Sequence, residues 1–215
     1  KIKKYANKTT YLLFNEMNRP LSDSLGYFKT FTIGIPKFYS NWKNCVNNLP
    51  SNLRKNEKFV LVFTRSINDY YMPYNIYEEI LIETYAAIRS TLGDIKVIFK
   101  PHPRENIKIL KNIIKENRMQ RTEISFYHST ILAKDSLLAI SHWTSCVIDC
   151  LSVNTPVIEY FKESKKFREL EKMGSVYKKI GFVSCNDVNE LKKNIKKIIN
   201  GLYTLPKNLY DISKS

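Results

Sequence analysis

The sequence predicts an α/β fold, a doubly wound parallel sheet of about six strands with helices on both faces. Three observations carry this. From Phe59 onward, short runs rich in β-branched and aromatic residues alternate with stretches of helical periodicity. The short runs are apolar almost without interruption, as strands covered on both faces must be. The stretches between them space apolar residues three and four apart, which gives helices with one buried stripe.

In chain order, strands are expected at 59–64 (FVLVFT), 96–100 (KVIFK), 124–127, 137–141 (LLAIS), 156–160 (PVIEY) and 181–184. One helical stripe runs through Tyr77, Ile80, Leu81, Tyr85 and Ile88, and a second through Ile107, Leu110, Ile113 and Ile114. A third joins Val188, Leu191, Ile195 and Ile198. Both its limits are written locally, by Asp187 and Glu190 in capping-box spacing and by Asn200-Gly201 at the end. Residues 1–58 contain Pro20, Pro36 and Pro50 and an amphipathic stretch around 28–35, with too little apolar sequence for a separate core. They are expected to be a linker with packing elements, 59–200 the main domain, and 201–215 a tail.

Composition narrows the class. With 43% hydrophobic and 26% charged residues the chain is globular. No apolar run approaches the roughly 20 residues that cross a bilayer, and the N-terminal Lys-Ile-Lys-Lys-Tyr leads into polar residues rather than a signal-peptide core. The expected location is therefore cytoplasmic. The four cysteines, Cys45, Cys146, Cys150 and Cys185, have neither the density of a disulfide scaffold nor the paired spacing of a zinc site. No bound metal is expected.

The net charge of +15 suggests nucleic acid until it is divided along the chain. Residues 1–58 hold 11 lysines and arginines against 3 acidic residues, and 161–200 hold 11 against 5, whereas 59–160 hold 11 of each. The excess lies on the flanks, where it is either a solvated basic surface or a means of peripheral contact with anionic membrane at its inner face. The neutral middle and the lack of a nucleic-acid motif argue against a nucleic-acid partner.

In an open parallel sheet, ligands bind outside the carboxyl ends of the strands. After the second strand comes Lys100-Pro101-His102-Pro103-Arg104-Glu105. Two prolines stiffen the backbone around His102, whose ring can donate to a phosphate oxygen or move a proton. The alternative is a local cap, with Pro103 preceding a helix that begins near Glu105. After the fourth strand, Ser141-His142-Trp143-Thr144-Ser145 leads into a helix bearing Asp149. Hydroxyls and backbone N–H groups at a helix start attract phosphate, unless Thr144 or Ser145 is a plain cap. Asp149, one turn further, can accept from ribose hydroxyls, and His142 can line the pocket. The end of the first strand supplies Arg65 and Ser66. His128 and Glu159 are weaker candidates.

The stretch 59–200 resembles the C-terminal, Rossmann-like half of bacterial GT-B glycosyltransferases that build capsules and other surface polysaccharides. Lys100-Pro-His-Pro-Arg-Glu105 is similar to the His-Pro motif of bacterial sialyltransferases and Kdo-type capsule transferases, and Thr144-Ser145 to their Ser-Ser motif. The segment from Ile148 to Ile158 (IDCLSVNTPVI) is similar to the acidic, small-residue, Pro-Val-Ile pattern of many GT-B enzymes and to a region of CDP-glycerol glycerophosphotransferases.

The resemblance implies a glycosyltransferase. Its substrate would be a nucleotide-sugar donor, CMP-linked or carrying another pyrimidine, with no further cofactor, and its acceptor a surface glycan. His102, Thr144 and Ser145 would contact the nucleotide phosphate and Asp149 the ribose. Thr144 stands where serine is usual, and Asn154, which can still adopt the left-handed conformation expected after a helix, stands where glycine is. The acidic motif that supplies the sialyltransferase base is absent, which implies that the base comes from an N-terminal GT-B domain in the same or a partner chain. A sugar-nucleotide 2-epimerase, a glycerophosphotransferase and a non-catalytic glycan-binding module are the alternatives.

Overall fold

The computed structural model describes residues 9–13, 19, 23, 26–27, 29–33, 35–49, 57–165, 178 and 181–203. The chain divides into two compact units, Lys1–Cys45 with Pro206–Ser215, and Val46–Leu205. In the first unit, β1 (Thr10–Leu13) pairs in parallel with β2 (Lys29–Thr32), and Tyr11 stacks on Tyr27 with ring centroids 4.5 Å apart. The amphipathic stretch expected around 28–35 contains β2. A 3-10 turn at Pro36–Phe38 and α1 (Ser40–Asn47) follow.

The second unit is a six-stranded parallel sheet. Its elements are β3 (Phe59–Phe63), α2 (Tyr74–Leu92), β4 (Lys96–Lys100), α3 (Ile107–Glu116), β5 (Thr122–Ile124), α4 (Ser129–Asp135), β6 (Leu138–Ser141), α5 (Val147–Ser152), β7 (Val157–Tyr160), β8 (Val183–Cys185) and α6 (Val188–Ile199). The strand order is β5-β4-β3-β6-β7-β8, all neighbours parallel. The chain therefore winds outward in one direction from β3 and then returns to pair β6 on its other side. That reversal opens a crevice at the carboxyl ends of β3 and β6.

Both faces are filled. Val60, Val62, Val97, Phe99, Leu138, Ile140, Ile158 and Tyr160 pack with Tyr77, Ile80, Leu81 and Ile88 of α2, Leu110 and Ile113 of α3 and Leu191, Ile195 and Ile198 of α6. The alternate residues Leu61, Phe63, Ile98 and Val157 are equally buried, and α4 packs on β3 and α5 on β7. Burial of each such side chain is worth about 1.5–3 kcal/mol, so the three expected stripes hold the helices to the sheet. Tyr85 is the exception within its stripe. It is only half-buried, and its hydroxyl exchanges hydrogen bonds with the Gln120 backbone.

Local signals set several boundaries. Asp187 caps α6 by accepting from the N–H groups of Asn189 and Glu190, and Gly201 ends it at φ 71°. Asn154 follows α5 at φ 59°, the left-handed conformation expected of it where glycine is usual. Two strands depart from expectation by more than one residue. β5 lies at Thr122–Ile124 rather than 124–127, because Ser125 N–H already bonds Phe99 O at the strand's end and Phe126 is 68% exposed in the loop beyond. β8 begins at Val183, since Gly181 at φ 94° is still turning.

Candidate functional site

The strand registers align the site. Lys100 of β4 lies opposite Phe63 of β3, Phe63 opposite Ser141 of β6, Ser141 opposite Glu159 of β7, and Glu159 opposite Ser184 of β8. This row runs across the carboxyl edge, and the loops leaving it begin side by side. Two backbone bonds carry the pairing one residue further, Thr64 N–H to Lys100 O at 3.1 Å and His142 N–H to Phe63 O at 2.9 Å. The expected segments 64–66, 100–105 and 141–145 thus meet at the switch point.

The Lys-Pro-His-Pro loop is a tight turn closed by Glu105 N–H on His102 O at 2.9 Å. The helix behind it starts at Ile107 under an Asn106 cap, two residues later than expected. His102 is half-buried. Its Nδ1 accepts from Arg104 N–H at 3.1 Å, so the neutral ring carries its proton on Nε2 and presents a donor there. Burial holds its pKa below 6.5, and the neighbouring charges of Arg65, Arg104 and Lys100 lower it further. A neutral donor among three cations suits an anion.

Arg65 crosses the crevice from β3 to β6. Its guanidinium carbon lies 4.2 Å from the Trp143 ring centroid, and its Nη1 donates to Trp143 O at 2.6 Å. Tyr71 and Phe161 pack on the same indole at 5.1 and 4.9 Å between centroids. The 64–73 loop that delivers Tyr71 is itself ordered, by an Asn68–Met72 bridge and by Asn68 Oδ1 accepting from the N–H groups of Tyr70 and Tyr71. Trp143 takes φ 53°, a conformation costly for a bulky side chain and worth about 1–3 kcal/mol of strain. The Arg65 bond and the His142 backbone bond on either side hold it there. Ser66 is half-buried in the same loop.

The segment after β6 departs from the simple helix start expected. α5 begins at Val147, after a Cys146 cap, and has only six residues. Thr144 and Ser145 sit in the turn before it, and their hydroxyls diverge. Thr144 is buried, its Oγ1 accepting from Cys146 N–H at 3.3 Å and lying 3.2 Å from the buried Ser141 Oγ. Ser145 is exposed. So short a helix adds little dipole, and attraction of an anion rests on the side chains.

His142 and Asp149 face inward. His142 is 1% exposed with Nε2 2.9 Å from Thr84 Oγ1 in α2, and burial drives its pKa down to about 3. Asp149 is also 1% exposed, with Oδ1 accepting from Thr130 Oγ1 of α4 at 3.0 Å. Each of the two is thus buried against a threonine of a neighbouring helix. His128 caps α4, and Glu159 is fully buried in β7.

The residue that sequence reasoning missed is Glu105. Its buried carboxylate accepts from Thr64 Oγ1 at 2.6 Å, His102 N–H at 2.9 Å and Tyr77 O–H at 2.5 Å. Burial raises its pKa despite these donors, and raises that of Tyr77. The only signal was a carboxylate standing just ahead of a helix start. Among the described residues no group of three or more histidines, cysteines or carboxylates is placed to hold a metal ion, and no helix is long and apolar enough to cross a membrane.

No family model matches the sequence, and no curated protein matches it. Solved structures do. S. aureus TarM, as a point mutant in complex with fondaparinux, alpha-GlcNAc-glycerol and UDP, matches 94% of this chain and 39% of its own at 18% identity and TM-score 0.52. The UDP-GlcNAc 2-epimerase of Methanocaldococcus jannaschii matches 92% of this chain and 57% of its own at 17% identity and TM-score 0.53. The fold is GT-B Rossmann-like. A trehalose-6-phosphate synthase shares it at 12% identity and TM-score 0.51 over 95% of this chain and 57% of its own. The chain thus spans about two fifths to three fifths of the solved structures it matches.

Proposed function

We propose that this chain is the donor-binding half of a GT-B glycosyltransferase. It would move a sugar from a nucleotide-activated donor, CMP-linked or carrying another pyrimidine, to a bacterial surface glycan. One observation carries the proposal: at the switch point, His102 has Nδ1 occupied by Arg104 N–H and so offers Nε2–H, with the charges of Arg65, Arg104 and Lys100 close enough to be felt by the ring. Such fixed donors and charges stabilise negative charge that grows on a departing phosphate, and cost no reorganisation when it does. Ser145 adds an exposed hydroxyl from the turn after β6. Ser141, Thr144, His142 and Asp149 act from behind, by holding the wall. The structures of TarM with UDP and of the epimerase with UDP-GlcNAc and UDP support a pyrimidine nucleotide as donor.

The acceptor and the catalytic base belong, in this proposal, to a second GT-B domain, in the same or a partner chain. The location is the cytoplasm, with the basic flanks touching the inner membrane face. Calorimetry with CMP, CDP, UDP and GDP is the direct test. Binding of a pyrimidine nucleotide, weakened on the order of 10²-fold by His102→Ala with Ser145→Ala, is expected. Absence of binding, or binding indifferent to both changes, would overturn the assignment. The fold shared with the epimerase favours one second reading, sugar-nucleotide 2-epimerisation, which product analysis with the complete enzyme separates from transfer.

A further inference from the structure

Three elements that adjoin the switch crevice come together on one carboxylate. Thr64 is the first residue beyond β3, Tyr77 lies in the first turns of α2, and His102 is the centre of the Lys-Pro-His-Pro turn. Each donates to Glu105, the two hydroxyls and the His102 amide occupying both carboxylate oxygens. The Glu105 N–H returns to His102 O, so the residue grips the His102 backbone from both sides. Thr64 is 1% exposed, Tyr77 1% and Glu105 9%, so little water competes for these bonds.

The consequence falls on the imidazole. With its amide tied to Glu105, His102 has its backbone fixed in the turn that brings Arg104 N–H to Nδ1. That last bond leaves the proton on Nε2. A loop released from the Glu105 carboxylate keeps its prolines and the Thr64–Lys100 backbone bond but loses the tie from the His102 amide to the Thr64 and Tyr77 hydroxyls. The ring then has no fixed donor at Nδ1 and exchanges between its two tautomers.

We infer that Glu105 is a positioning residue, a buried three-donor anchor that sets the orientation and the tautomer of His102. This rests on the proposed nucleotide site for its purpose, but its physical content is tested apart from it. Glu105→Leu keeps an apolar filling and removes every acceptor. Glu105→Gln keeps an acceptor oxygen for Thr64 and His102 and offers its N–H₂ to the Tyr77 oxygen.

Nitrogen-15 NMR of the histidine rings in the whole chain reads the tautomer, and calorimetry with UDP and CDP reads the site. The expected result is a single Nε2–H form at His102 in the parent and in Glu105→Gln, and a mixture in Glu105→Leu. Nucleotide dissociation constants are expected to stay within about twofold for Gln and to rise about tenfold for Leu. An unchanged tautomer and affinity in Glu105→Leu, whatever its melting temperature, would overturn the inference. So would equal losses in Leu and Gln with the tautomer kept, since charge and not positioning would then be at work.

If Glu105→Leu does not fold, Thr64→Val and Tyr77→Phe each remove one donor and are expected to shift the tautomer in the same direction by less. If the parent binds none of UDP, CDP and CMP, the proposed site fails, and the tautomer comparison still decides the role of Glu105.

Discussion

The guanidinium of Arg65 lies over the indole of Trp143 and bonds that residue's own carbonyl, so one side chain at the end of β3 grips both the ring and the backbone of the first turn beyond β6. The grip ties the loops after β3 and β6 together at the switch point. It also explains how a tryptophan is kept at φ 53°.

Lysine at position 65 retains the charge but cannot stack as a plane or reach the carbonyl with the same fork. Arg65→Lys is expected to lower stability by about 1 kcal/mol and to weaken UDP binding about tenfold. Urea denaturation and calorimetry measure the two. Because Trp143 is one of only two tryptophans, its release is also expected to red-shift the emission. An unmoved emission maximum with parental affinity would remove Arg65 from this role.

His142 gives the protein an acid-sensitive point. The unfolded chain takes up this proton near pH 6.5, whereas the buried native ring does so only at about 3. Between those values the unfolded state holds more protons, so stability is complete above pH 6.5 and falls as pH drops. By pH 5 the loss from this ring is about 2 kcal/mol. Denaturation curves at pH 5 and 7.5 for the parent and for His142→Gln isolate it, since the variant lacks that share of the slope. Equal slopes would mean that the native ring titrates normally.

Asn154 tests the turn before β7. A β-branched residue cannot take φ 59° without crowding its own carbonyl, so Asn154→Val is expected to cost about 1–2 kcal/mol. Asn154→Gly removes the strain but loosens the unfolded chain, and is expected to change stability by less than about 1 kcal/mol. Paired denaturant melts of the two variants give the difference directly.

How much of the fold is legible follows from where each signal is written. Strand β3 is FVLVF, and a run so uniformly apolar and β-rich has one interpretation in an alternating chain. The ends of α6 and the left-handed Asn154 are set by neighbours in sequence, and there expectation and structure agree. β5 lies earlier than expected because Phe126 and Tyr127 look like strand interior, while only their tertiary position shows Phe126 in solvent. α4 leaves no legible signal because seven residues ending in Lys134-Asp135 carry too little periodicity. At the site, the loops can be named because chemistry concentrates at strand ends. Which side chain turns outward cannot. Thr144, His142 and Asp149 are polar residues beside an expected ligand; the turn after β6 pairs Thr144 with Ser141, and only the packing of α2 and α4 reveals Thr84 and Thr130 as the partners of the other two. Glu105 is invisible for the same reason, since Thr64 and Tyr77 are remote from it along the chain.

The register that pairs Val60 with Leu138 has a bearing on how the molecule is made. β4 and β5 can join β3 through short crossovers, but β6 closes a loop on the order of 80 residues, which puts the larger entropic barrier on the pairing that forms the crevice. During synthesis, β3 leaves the ribosome with one edge waiting for a strand not yet translated. The phosphate-facing edge is therefore expected to be the last part assembled. Pulse-labelled hydrogen exchange during refolding, with Val60 and Ile98 protected before Ile140, is the expected record. Simultaneous protection would mean that the sheet forms in one step.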